Sequence, residues 1–84
     1  MTPTNRWRDF SLASLQVEVA GGELVVTLPE SSYWITYYKP AESGCLLARN
    51  IPYSDDPRSQ ITLSAFLAGA SRAANEKARE LGWI

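Results

Sequence analysis

An α+β fold, with an antiparallel meander of three or four strands and one C-terminal helix packed on one face, is what the sequence predicts. Three observations carry that expectation. On either side of a double glycine, Leu15, Val17 and Val19 alternate with Gln16 and Glu18, and Leu24, Val26 and Leu28 alternate with Val25 and Thr27, the two-residue period of half-buried strands around a tight turn. Residues 33–38, Tyr-Trp-Ile-Thr-Tyr-Tyr, are aromatic and β-branched, which suits a third strand. Residues 62–81 repeat apolar side chains at helical spacing and stop at Gly82, where a helix ends easily.

The elements follow in chain order. Met1 to Asp9 is polar apart from Trp7 and is expected to be an irregular or partly disordered tail, with Trp7 and Phe10 tucked against the domain edge. The sheet is expected within residues 12–51. Leu15, Val17 and Val19 form one strand, Gly21-Gly22 the turn, and Leu24, Val26 and Leu28 the next strand, which Pro29 ends because it donates no ladder hydrogen bond. Glu30-Ser31-Ser32 is a polar turn into the third strand. Lys39 to Gly44 is a loop, and Cys45 to Ile51 is a short fourth strand. Residues 52–60, rich in Asp, Ser and Pro, read as a loop.

The helix is predicted over 62–81, with Thr62 as N-cap. Its apolar stripe is Leu63, Leu67, Ala70, Ala74 and Leu81, widened by Phe66 and Ala78. Arg72 and Glu76 stand one helical turn apart and are expected to form a weak surface pair. Gly82 fits the left-handed position past the helix end, with Trp83 folding back on Ala78.

With 84 residues the chain is read as a single domain, residues 1–84. Hydrophobic residues at 45% and charged residues at 20% indicate a packed core rather than a disordered chain. Eight basic and nine acidic residues leave a net charge of −1, which argues against nucleic acid or an anionic membrane as partner. The one cysteine, Cys45, excludes an internal disulfide framework and fits a reducing compartment. No apolar run approaches the ~18–20 residues of a membrane span, and the polar N-terminus suggests no signal peptide. The expected location is cytoplasmic.

A sheet with one apolar face needs a cover, and the helix is the one candidate. Leu15, Val17, Val19, Leu24, Val26 and Leu28 should face it. Small Ala70, Ala73 and Ala74 would let it approach closely. On the third strand Tyr33, Ile35 and Tyr37 are favoured for that side because Ile35 is aliphatic. The opposite face then carries Val25, Thr27, Trp34, Thr36 and Tyr38. That set is unusually apolar and aromatic for a solvated surface, and contiguous apolar patches commonly mark interaction sites.

Catalytic chemistry finds little footing. There is no histidine, which removes the commonest general base and zinc ligand. Cys45 has no imidazole partner to generate a thiolate, so it reads as a small buried hydrophobe on a strand. Asp55-Asp56 lacks the several spaced oxygen ligands of a calcium loop and reads as a solvated turn before Pro57. Gly21-Gly22 lacks the lysine and following helix of a phosphate loop. No catalytic residue, metal site or cofactor is predicted. Arg6-Trp7-Arg8 and the Trp34, Tyr38, Lys39 cluster would suit base stacking and phosphate contact, but nothing resembles an RNA-recognition aromatic motif.

Tyr37-Tyr38-Lys39-Pro40, Asp55-Asp56-Pro57-Arg58 and the ending from Asn75 to Ile84, with a further likeness at Val25 to Pro29, resemble a group of small alphaproteobacterial proteins of unknown function. The resemblance covers about residues 23–84. It implies a free-standing bacterial protein and carries over no functional residue.

The function expected first is therefore a non-enzymatic interaction module, most simply a homodimer joined through the aromatic sheet face or an edge strand. The alternative is small-ligand binding in an aromatic cleft lined by Trp34, Tyr37 and Tyr38. Single-stranded nucleic-acid binding ranks third, and an enzyme last.

Overall fold

Gly21 and Gly22 set the first hairpin. A computed structural model describes residues 15–84; the tail through Asp9, including Arg6-Trp7-Arg8, and Phe10 lie outside the described residues. At φ of 56° and 85° both glycines are left-handed, as a two-residue type I′ turn requires. They join β1 (Gln16–Ala20) to β2 (Glu23–Thr27), with Ala20 opposite Glu23 and Val17 opposite Val26. Past Pro29, Glu30 turns the chain at φ 66°, and the Leu28 N–H donates to the Tyr33 carbonyl at 3.2 Å. β3 (Trp34–Tyr38) returns antiparallel to β2, and β4 (Leu47–Arg49) pairs antiparallel with β3. Strand order is β1-β2-β3-β4, a four-stranded meander. The fourth strand is shorter than the expected 45–51 run.

The helix, α1, spans Leu63–Glu80. The Thr62 hydroxyl accepts from the Ala65 N–H at 3.1 Å, and Asp55 Oδ1 accepts from the Leu63 N–H at 2.7 Å. Two of the free donors of the first turn are thereby satisfied. At the other end Gly82 is left-handed, φ 80°. The Gly82 N–H donates to Arg79 O at 3.1 Å and the Trp83 N–H to Ala78 O at 2.8 Å. Those two bonds make a Schellman ending, and Trp83 packs against the core.

Phe66, Ala70, Ala74 and Ala78 are the fully buried residues of α1. They stand at i, i+4 intervals, one straight ridge along the helix. Three alanines let the backbone lie near the sheet, and the Phe66 ring stacks on Tyr33 with centroids 5.0 Å apart. The expected stripe is corrected at its flanks: Leu63 and Leu67 are half-buried beside this ridge, and Leu81 is exposed at the C-cap. The Arg72–Glu76 pair does not form; in this last part of the helix Lys77 instead meets Glu80 at 3.0 Å.

Opposite the ridge lie Leu24, Val26, Leu28, Tyr33, Ile35 and Tyr37, all buried. The helix thus covers the side of β3 that carries Ile35. Leu15 and Val17 pack partly against this core. Val19 points to the same side but is 49% exposed, although its partner Leu24 is fully buried.

Candidate interaction surface

Because side chains alternate along each strand, the register fixes what the helix leaves open. Thr27 pairs with Trp34, Val25 with Thr36, and Thr36 in turn with Arg49; Glu23 pairs with Tyr38 and Tyr38 with Leu47. Val25, Thr27, Trp34, Thr36 and Tyr38 therefore share the helix-free face, joined by Glu23, Leu47 and Arg49.

That face has two unlike ends. At one end Arg49 crosses β3 to form an ion pair with Glu23 on β2. Its guanidinium carbon lies 5.2 Å from the centroid of the Tyr38 ring, within cation–π range. Beneath this bridge Thr36 is only 3% exposed. Thr36 and Tyr38 are thus covered by the chain's own side chains.

The other end is open. Register would place Ile51 opposite Trp34, yet pairing stops at Arg49. Asn50 takes a left-handed conformation, φ 56°, and turns the chain out of the ladder. Trp34 then has no ladder partner on the β4 side and is 47% exposed. Between it and residues 50–54 opens a cleft of about 370 Å³, lined by Ser32, Trp34, Asn50, Ile51, Pro52, Tyr53 and Ser54. Ile51 is exposed, and Tyr53 stands 94% exposed.

Ile51 and Tyr53 were not among the residues expected at this surface. The available signal was two large apolar residues interrupting an otherwise polar loop, at Asn50-Ile51-Pro52-Tyr53-Ser54. Tyr37 is on the core side, as expected for its strand, and so does not line the aromatic cleft of the small-ligand alternative; burial raises its phenol pKa above the ordinary tyrosine value.

The loop after the cleft is fastened by Asp56. Far from being a solvated turn, Asp56 is 5% exposed. Its carboxylate accepts from the Arg58 N–H at 3.0 Å and the Ser32 N–H at 2.8 Å. These two backbone bonds hold its pKa below the usual carboxylate range. The Asp56 N–H donates to the Tyr33 hydroxyl at 2.8 Å, and that hydroxyl donates to Ile61 O at 2.9 Å. With Asp55 capping α1, the pair of aspartates joins loop, strand and helix.

Cys45 is also corrected. It is exposed, in the turn before β4, where the Ser43 hydroxyl accepts its N–H at 3.2 Å. It is held outside the ladder and away from the core.

Among the described residues no group of three or more His, Cys, Asp or Glu side chains gathers where it could hold a metal ion. No described helix is long and apolar enough to cross a membrane. The chain matches no family model, no curated protein and no solved structure.

Proposed function

We propose that this is a non-enzymatic, cytoplasmic interaction module that self-associates through the helix-free face of its sheet. One observation carries the reading: Trp34, 47% exposed on a central strand, stands beside exposed Ile51 and Tyr53. Large aromatics at the centre of a patch are the residues that anchor protein contacts. The Arg49–Glu23 bridge gives the patch a polar border, as interface rims have. A second copy is the simplest partner, since two-fold homodimers are the commonest soluble assemblies.

Light scattering over a concentration series tests this. The wild type should rise in mass with concentration. Trp34→Ala should stay at a lower mass while keeping its circular dichroism spectrum. Identical mass curves for the two proteins would remove the face as the contact.

A second reading rests on the cleft itself. Its size and mixed lining suit a small ligand with an aromatic or apolar body and one or two polar groups directed at Ser32, Asn50 or Ser54. A thermal-shift screen of small aromatic compounds should then give hits that Tyr53→Ala abolishes; a flat response across the set counts against it. Single-stranded nucleic acid ranks lower, because Arg49, a cation on this face, is already engaged by Glu23.

A further inference from the structure

The outer strand β1 offers a second, separate contact. In a two-residue hairpin the residues flanking the turn exchange both ladder hydrogen bonds, and such pairs then alternate along the strands. Ala20 and Glu23 flank the turn here, so Glu18–Val25 and Gln16–Thr27 are the next bonded pairs. The backbone groups of Leu15, Val17 and Val19 therefore point away from β2. Among the described residues no strand lies beyond β1.

Sheet edges are usually guarded by proline, lysine, a bulge or short length. β4 has such guards: three residues, an arginine, and a left-handed Asn50 at its end. β1 has five residues without proline or a basic side chain. Its one charge, Glu18, lies on the helix-free face. On the helix side Val19 is 49% exposed although its neighbour Leu24 is fully buried. An unguarded edge with an uncovered valine has the character of an incomplete sheet.

We propose that β1 pairs antiparallel with β1 of a second copy, building a continuous eight-stranded sheet. Only registers that place odd-numbered residues opposite odd-numbered residues use the free backbone groups. Setting Glu18 against Glu18 of the other copy opposes like charges, which is unfavourable. Centring on Val19 brings Gly21 of the turn into the ladder and pairs little else. Centring on Val17 sets Val17 against its own copy, Leu15 against Val19, and Gln16 against Glu18. Apolar residues meet on the helix side, and an amide meets a carboxylate on the other.

The two-fold axis of this pairing is normal to the sheet. Both helices lie on one side, and both helix-free faces lie side by side on the other. The pairing is independent of the face contact proposed above. Where both operate, two edge dimers stack face to face into a closed tetramer.

Sedimentation equilibrium in the Trp34→Ala background separates the two contacts. That variant should still form a dimer at high protein concentration, weak because a short edge buries little surface. Adding Val19→Lys, at an exposed position, should weaken the dimer about tenfold or more, since each dimer contains two Leu15–Val19 pairs. Adding Gln16→Lys should instead tighten it by placing a cation opposite Glu18. A Trp34→Ala protein that stays monomeric to millimolar concentration overturns the proposal. So does a dimer indifferent to both lysines. A dimer tightened by Glu18→Gln and not by Gln16→Lys overturns the register.

Discussion

Tyr33 shows how one polar atom can decide the stability of a small core. Its ring is stacked on Phe66 and its side chain is buried, so a hydroxyl there needs partners. It has two, the Asp56 N–H and the Ile61 carbonyl. Tyr33→Phe keeps the ring and strands both backbone groups. Leaving a buried donor or acceptor unpaired costs about 1–3 kcal/mol, and urea unfolding should show a loss of that order. A neutral result would mean that water replaces the hydroxyl. Asp56 makes a pH-dependent contribution. Its folded pKa lies below the ordinary value because Arg58 and Ser32 N–H groups favour the charged form. A carboxyl whose folded pKa is depressed stabilises the fold above its unfolded pKa, about 3.9, and that contribution disappears as pH falls through the folded value. Wild-type stability should therefore drop below about pH 4. Asp56→Asn should be less stable at neutral pH and flatter in acid; an unchanged acid slope would assign the pH dependence to other carboxyls.

Local signals in the helix were strong enough to be read directly. Thr62 as cap, Gly82 as the left-handed terminator and Trp83 folding back all depend on residues within one turn of each other. Gly82→Ala isolates that local chemistry. A Cβ there meets nothing within 4 Å, so its cost is conformational alone, about 1 kcal/mol. Thermal melts should show a modest fall in Tm with unchanged helix content at low temperature; no fall would mean that the helix end relaxes freely. The hairpin was legible for the same reason, since alternation and a double glycine are short-range. What escaped the sequence depends on distant partners. Asp55 and Asp56 look like a solvated turn until Leu63, Ser32 and Arg58 are brought to them. The bridge from Arg49 on β4 to Glu23 on β2 crosses β3, and the cleft exists because Asn50 breaks the ladder opposite Trp34. None of these leaves a periodic trace in the chain.

The division of the molecule into a covered and an uncovered sheet face is tested best by adjacent residues. Ile35 and Trp34 are neighbours on β3 and point to opposite sides. Ile35 is buried under the helix, and truncating a buried isoleucine to alanine costs about 2–5 kcal/mol. Against the ~5–15 kcal/mol typical of a whole domain, and in a chain this short, Ile35→Ala should leave a largely unfolded or barely folded protein. Trp34 is the larger side chain, yet it is half exposed on the helix-free face, on the opposite side of the sheet from the core. Its truncation should cost far less stability, about 1 kcal/mol or less, and appear instead as lost association. Urea unfolding at low protein concentration, beside light scattering at high concentration, reads both quantities. If the two substitutions destabilise the monomer equally, Trp34 belongs to the core and the helix-free face is structural. If they separate as expected, the larger aromatic has been kept at the surface for contact, and the single-helix architecture is the reason it is free to make one.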